Sequence, residues 1–570
     1  MNPGMSSGTR RTDPITTEVI RHALETIAEE MGTALRRTAL SVVVKDMRDY
    51  SCAVFDRSGR LLAAALDIPT LLASMSPALR ACLDKWGDDI HPGDVFLSNH
   101  PYLGACQTND LNLFVPVFDD DERLIGFTGA IAHHADWGGV VPGTAAATSR
   151  SAFYEGVMLP AVKLEVRGVP EPNVRDIITA NTRHPKQNHG DLRAQVASAR
   201  SGARRFARLA ERYGTDTLVT AIDDLIGYTA ERTRAELAAL PDGTYQAEGW
   251  LDDDGINPGA AVRLAVTVTI EGDGAYVDFS GCDPQMPGGM NIPTSTTRSV
   301  VHYAIKCLLP DDVPFNEGSM EPVTIHAPEG SAVNPIFPAA VGDRHLASQR
   351  LASVMTRALA PAAPHRASSE WFVGWPVLIC ESASPKTGDG VVLLANVAGG
   401  AGATAAHDGA DAVDVHMANC AIIPAEIIES SYRLRVERYE LVPDSGGAGR
   451  TRGGLGIRAD YRNISDEPMQ FLSEAEQSDP GHAPQGLDGG LPGTSASIVL
   501  IRQDGEETPL PAKGQHVAAP GDVVSLRAGG GAGYGDPALR PREAVEADLR
   551  SGRITARAAR DHYNLAAADR

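Results

Sequence analysis

Cysteine is sparse in this 570-residue chain: there are seven, no two closer than 24 positions, and no C-x-x-C pair. That spacing argues against a thiolate zinc site or a disulfide framework, and it leads us to expect a reduced, cytoplasmic protein. Long apolar runs are missing too. The longest uncharged, apolar-leaning stretch, residues 391–406, carries Asn396 and several glycines and falls short of the about 20 apolar residues a spanning helix needs. The N-terminal MNPGMSSGTRRTDP lacks the apolar core of a secretory signal. Basic residues are in deficit, with 51 Lys+Arg against 73 Asp+Glu and a net charge of −22. A surplus of carboxylates disfavours nucleic acid and anionic membranes as partners, since both need clustered cations. Also absent are G-x-x-x-x-G-K-[ST] and H-E-x-x-H, and G-x-S-x-G occurs only at residues 4–8 in the polar N-terminal stretch, so the phosphate loop, zincin helix and hydrolase elbow are not expected.

Apolar residues make up 43% of the chain and charged residues 22%, which describes a globular protein with ample core. Residues 1–12 read as a loose tail. From Thr16, the spacing of Val19, Ile20, Ala23, Ile27, Met31, Ala34 and Leu35 predicts an amphipathic helix. Residues 51–55 and 60–65 flank Asp56-Arg57-Ser58-Gly59 and read as a hairpin, and residues 111–118 and 124–132 flank an acidic turn and read as another. Over residues 190–213, apolar steps of four and three predict a long helix with a narrow seam, packed against another helix of the same chain. This region, 13–240, holds the candidate site. Residues 241–430 read as a mixed α+β segment, 431–540 as a glycine-rich β segment, and 541–570 as a helical tail broken at Gly552 with Thr555 as N-cap. The 57 glycines imply many turns with positive φ. The expected class is α+β: a large irregular body with several sheets. The run 529–535 (GGGAGYG) reads as a structural loop, not a phosphate cradle, and Asp252-Asp253-Asp254 as a solvated turn.

The informative segment is 99–139, NHPYLGACQTNDLNLFVPVFDDDERLIGFTGAIAHHADWGG. If the acidic turn closes the hairpin by pairing Asp119 with Leu124, the same register sets Asp110 opposite His133. Opposed side chains have Cβ atoms about 4.5–5.5 Å apart, close enough for a carboxylate and an imidazole to share a divalent ion. Gln107 comes within reach if its loop curls into one turn. His134 and Asp136 would orient a ligand or carry a proton.

Segment 99–118 resembles the N-D-P-Y-x-G-G-T-H-x-x-D motif of hydantoinase B/oxoprolinase proteins, and residues 132–139 resemble their H-H-x-D-x-G-G. Further likenesses run along the chain, among them Asp49-Tyr50-Ser51-Cys52, Tyr154-Glu155-Gly156, Asp278-Phe279-Ser280-Gly281 and Arg452-Gly453-Gly454-Leu455-Gly456. The resemblance implies the B component of a two-component system, a hetero-oligomer with a hydantoinase A-type ATPase subunit that uses the ATP. That partner phosphorylates the carbonyl of a small cyclic amide, and the B component completes hydrolysis on one divalent metal: zinc, manganese or iron. The ligands it implies here are Asp49, Gln107, Asp110 and His133, with His134, Asp136 and Glu155 in catalytic roles. For Glu155 a buried salt bridge is the other reading. Gln107 departs from the family's His, and His100 replaces the Asp of N-D-P and is a second candidate imidazole. A carboxylase subunit of the acetone carboxylase type and a catalytically silent scaffold are the rival readings.

Overall fold

The structure, a computed structural model, describes residues 12–565 apart from 66, 145, 387 and 389, so the expected tail lies almost wholly outside it. The class is α+β, and the described residues form four open sheets. The first sheet builds the candidate site. In chain order its strands are β1 (Tyr50–Asp56), β2 (Leu61–Ala64), β3 (Val95–Ser98), β4 (Asp110–Phe118), β5 (Leu124–His133), β6 (Val162–Val166) and β7 (Val169–Pro170). Their order across the sheet is β2-β1-β5-β4-β3-β6-β7.

Both faces of this sheet are covered, which is why β1, β4 and β5 are apolar almost throughout and do not alternate with polar residues. Cys52, Val54, Leu111, Leu113 and Val115 pack under the helices Pro14–Thr38 and Pro185–Tyr213. Ala53, Phe55, Phe114, Phe127 and Ile131 pack under the helix Pro69–Trp86. The long-helix seam is met within the chain, as expected. Ser198 donates to the Met31 carbonyl at 2.6 Å, and a Cβ on Gly202 would lie 2.1 Å from the Met31 sulfur, so glycine permits the close approach.

The first hairpin turns on Asp56, whose carboxylate accepts from the backbone N–H of Ser58 and Arg60 at 2.9 and 2.7 Å. In the second hairpin Asp110 does pair with His133, but the turn differs from the expectation. Phe118, not Asp119, lies opposite Leu124, and a bulge between Val117 and Phe118 restores the register further in. Asp119 instead closes the loop by accepting from the Arg123 backbone N–H at 2.8 Å.

A second sheet (Gly243–Leu251, Val262–Glu271, Gly274–Asp278, Val323–His326) packs against the helices Thr294–Leu308 and Arg344–Leu359. A third joins Val377–Ala383 and Gly390–Asn396 to Met469–Glu474 and Gly514–Ala518, strands from either side of residue 430. The fourth spans Leu434–Leu441 to Val523–Arg527.

The 529–535 run is structural. The backbone N–H groups of Gly531, Ala532, Gly533, Tyr534 and Gly535 all donate to main-chain carbonyls at 2.9–3.0 Å, leaving none of them for a phosphate. Asp252 corrects the reading of a solvated turn: it is buried, accepts from Ser478 N–H at 2.7 Å and lies 2.9 Å from His482 Nδ1. The C-terminal helices Arg542–Arg550 and Ala556–Tyr563 are separated at Gly552, and the Thr555 side chain caps the second at 3.2 Å. Among the described residues no helix is long and apolar enough to cross a membrane. All seven cysteines are free thiols.

Candidate metal centre

Three short segments bring four donors to one end of the first sheet. Arg48, at φ 64°, ends a π-helical turn, Val43–Met47, and delivers Asp49 to the start of β1. The Asp49 carbonyl then accepts from His133 N–H at 3.0 Å, fixing it against the end of β5. Gln107 and Asp110 are joined by one turn, with Asp110 N–H donating to the Gln107 carbonyl at 3.1 Å. The loop therefore curls as the spacing required.

His133 Nδ1 is the hub. It lies 2.9 Å from Asp110 Oδ1, 3.0 Å from the Gln107 side-chain amide and 4.0 Å from Asp49 Oδ2. One ring nitrogen cannot both donate to Asp110 and accept from the Gln107 amide. Turning the amide over would aim the Gln107 Oε1, buried and without a partner, at the same point. Donors around one ion at bond lengths of about 2.0–2.2 Å lie roughly 3–4 Å from one another. The spacings from His133 Nδ1 lie at the edges of that range, and since Asp49, Asp110 and His133 do not all come within 4.8 Å of one another, the set fits a divalent cation once Asp49 draws inward.

Charge is arranged around the set. Arg344, buried at the start of the helix Arg344–Leu359, donates to Asp110 Oδ2 at 2.8 Å and leaves Oδ1 facing His133. Burial raises the Asp49 carboxyl above its usual range. Burial would lower the His133 pKa, but the Asp110 hydrogen bond and the charges of Asp49 and Asp110 together raise it.

Asp49, Gln107, His133 and Arg344 line a cavity walled by Leu71, Trp375, Ile379, Leu394 and Met417. The space between its walls is about 590 Å³, of which about 40 Å³ is open to the centre of a water molecule. A water needs about 10–15 Å³ by that measure, so a few small species fit. His345 and Glu474 line the same cavity. With Asp343 they form a compact group whose ligand atoms all lie within 4.8 Å of one another. Burial pushes Glu474 up to about 7 and Asp343 well above the carboxylate range, and burial drives His345 down to about 3.

The other residues singled out from the sequence sit elsewhere. His134 follows β5 with the opposite orientation: its Nε2 lies 3.0 Å from Gln195 Oε1 on the long helix, and its ring meets Trp137 edge-on at 5.4 Å. Asp136 binds Arg183 at 2.8 Å and accepts from the N–H groups of Gly138 and Arg183, so it organises the loop after β5. Asp136→Ala leaves those groups short of an acceptor and is expected to cost about 2–3 kcal/mol in denaturant unfolding, with bound cation unchanged. Glu155 has no salt bridge among the described residues; it accepts from Val341 N–H at 3.0 Å and Gly342 N–H at 2.7 Å. It thereby holds the backbone that leads into Asp343 and Arg344. His100 accepts from Tyr102 N–H at 3.3 Å with its ring against Phe337 at 5.6 Å. None of these four lines the cavity.

Arg344, Asp343, His345 and Glu474 were not read from the sequence. The available signal was the charged triplet Asp343-Arg344-His345 at the head of a helix whose later residues, Leu346, Ala347, Leu351, Ala352 and Met355, are all core.

The B component of a putative D-/L-hydantoinase from Pseudomonas sp. (strain NS671) is 34% identical to this chain over 98% of it and 96% of its own length. The crystal structure of the ATP-dependent caprolactamase from Pseudomonas jessenii matches at a TM-score of 0.90 and 30% identity, over 98% of this chain and 97% of that one. A nucleotide-free acetone carboxylase structure has a TM-score of 0.89 at 19% identity, covering 98% of this chain and 80% of that one, and so shares the fold. Residues 13–537, which contain the whole site, match the family described as Hydantoinase B/oxoprolinase, and the chain belongs to that family.

Proposed function

We propose that this chain is the hydrolytic subunit of an ATP-dependent cyclic amide hydrolase, working on a lactam or hydantoin whose carbonyl a partner ATPase subunit has phosphorylated. The observation that carries the reading is the convergence of Asp49, Gln107 and His133 on one cavity, with Asp110 held against His133 at 2.9 Å. Relatives of this chain are named for such systems: a hydantoinase component and an ATP-dependent caprolactamase.

A ring amide resists attack because resonance stabilises it, so activation elsewhere and completion here divide the work. A divalent cation held by the four donors supplies Lewis acidity toward water and the substrate oxygen. Asp110 keeps His133 and Arg344 in place through its two oxygens. The Arg344 guanidinium on the cavity wall suits the charge of a phosphorylated or tetrahedral oxygen. The apolar walls exclude bulk water and fit the methylenes of a small ring.

Gln107 marks where this chain differs from its family's pattern. Gln107→His replaces an amide oxygen with an imidazole and is expected to tighten zinc by about tenfold or more, read by competition with a chromogenic chelator. The functional test is co-expression with the partner ATPase, following ATP use across a panel of lactams and hydantoins. Substrate-dependent ATP use with ring opening supports the reading. ATP use that requires acetone and bicarbonate would make the chain a carboxylase subunit, and catalysis unaltered in Asp110→Ala would make it a scaffold.

A further inference from the structure

The Asp343, His345 and Glu474 group has more acceptor atoms than donors to satisfy them. Asp343 is fully buried at the N-cap of its helix, yet its side chain makes no cap bond; among the described residues no N–H or O–H donor reaches either carboxylate oxygen, and the group faces Glu474 within hydrogen-bonding range. Glu474, 1% exposed, accepts from Ala147 N–H at 3.3 Å through Oε1, while its Oε2 has no partner. The His345 Nε2 is likewise buried and unpartnered, with the ring edge-on to Trp375 at 5.0 Å. The neighbouring cations are engaged elsewhere in part, although the Arg344 Nε is buried without a partner among the described residues. Lys513 pairs with Glu476 and with Asp253, and Arg344 gives its Nη2 to Asp110.

Two carboxylates facing each other in a dry site need positive charge between them, either a shared proton or a cation. The geometry favours the cation. A proton would satisfy the two carboxylates alone, whereas here an imidazole nitrogen also converges within 4.8 Å, which completes a nitrogen–oxygen donor set of the kind zinc and manganese accept. His345 and Glu474 also line the cavity.

We propose that Asp343, His345 and Glu474 form a second divalent-cation site in the cavity already described. The proposal stands on these three side chains and does not depend on occupation of the Asp49–Gln107–Asp110–His133 set.

The test is metal stoichiometry by mass spectrometry of the purified chain, stripped with chelator and re-equilibrated with manganese or zinc. The expected result is two ions per chain in the wild type, and one in each of His345→Ala, Glu474→Gln and Asp110→Asn. One ion in the wild type, lost in His345→Ala but kept in Asp110→Asn, also supports the second site and instead removes the first. One ion kept in His345→Ala overturns the proposal, as does a single ion lost in both His345→Ala and Asp110→Asn, which would be one shared site. No bound ion in the wild type overturns it too. Should His345→Ala fail to fold, the near-isosteric Glu474→Gln and a cobalt titration of the wild type decide. Two equivalents with one lost in Glu474→Gln support the site, and a single equivalent that survives Glu474→Gln contradicts it.

Discussion

Asp110→Ala is expected to abolish hydrolysis by the two-subunit complex, release the cation bound to its set and destabilise the chain by about 3–5 kcal/mol. Asp110 is 1% exposed and serves two partners, the Arg344 guanidinium at 2.8 Å and the His133 ring at 2.9 Å. Removing it strands a buried guanidinium, and that accounts for most of the stability loss. Asp110→Asn separates the two effects. It keeps the shape and one acceptor for Arg344 but not the charge, so it should lose less stability than the alanine variant while still giving up the cation of its set. Denaturant unfolding with metal analysis on both variants checks this. An alanine variant as stable as the wild type, with its metal retained, would show that Asp110 is neither ligand nor counterion.

Stability should fall as pH rises from about 4.5 to about 8, and Glu155 should be a principal cause. Burial pushes its carboxyl from 4.5 up to about 8, with the N–H groups of Gly342 and Val341 acting in the opposite direction. In that window the folded chain keeps a proton that the unfolded chain releases, so each rise in pH favours unfolding. The stabilisation is complete below about 4.5 and gone above about 8. A shift of that size is worth on the order of 4–5 kcal/mol for a fully buried group. Glu155→Gln removes the titration and keeps an oxygen to accept from the 341–342 backbone. Its melting temperature should change less with pH than the wild type's and exceed it at pH 8. Parallel melting curves for the two proteins from pH 5 to 8.5 would refute this assignment.

What the sequence made legible was local. The Asp110–His133 pairing followed from carrying the register of the acidic turn along the hairpin, and the bulge offset the one-residue difference at that turn and so left the pairing as expected. The seam of the long helix and the Thr555 cap are likewise written in spacings of three and four residues. The remainder of the site comes from far along the chain. Arg344 meets Asp110 across 234 positions, and Glu474 closes on Asp343 from another sheet, so no periodicity records either contact. His134 and Asp136 drew attention because they sit beside His133 in sequence. Yet consecutive residues at a strand end face opposite ways, and these two serve the long helix and the following loop. Asp252 misled for a related reason: three acidic residues in a row suggest solvent until Ser478 and His482 arrive from over 220 positions away.

The most direct measurement is cyclic amide hydrolysis by this chain with its partner ATPase, before and after chelation of bound cations and after their return. Ring opening that depends on ATP, disappears on chelation and returns with zinc or manganese is the expected result, provided the partner's own ATPase activity is restored with magnesium throughout. Ring opening that survives complete removal of cations from this chain, or ATP consumed with no cyclic amide opened, would contradict the account.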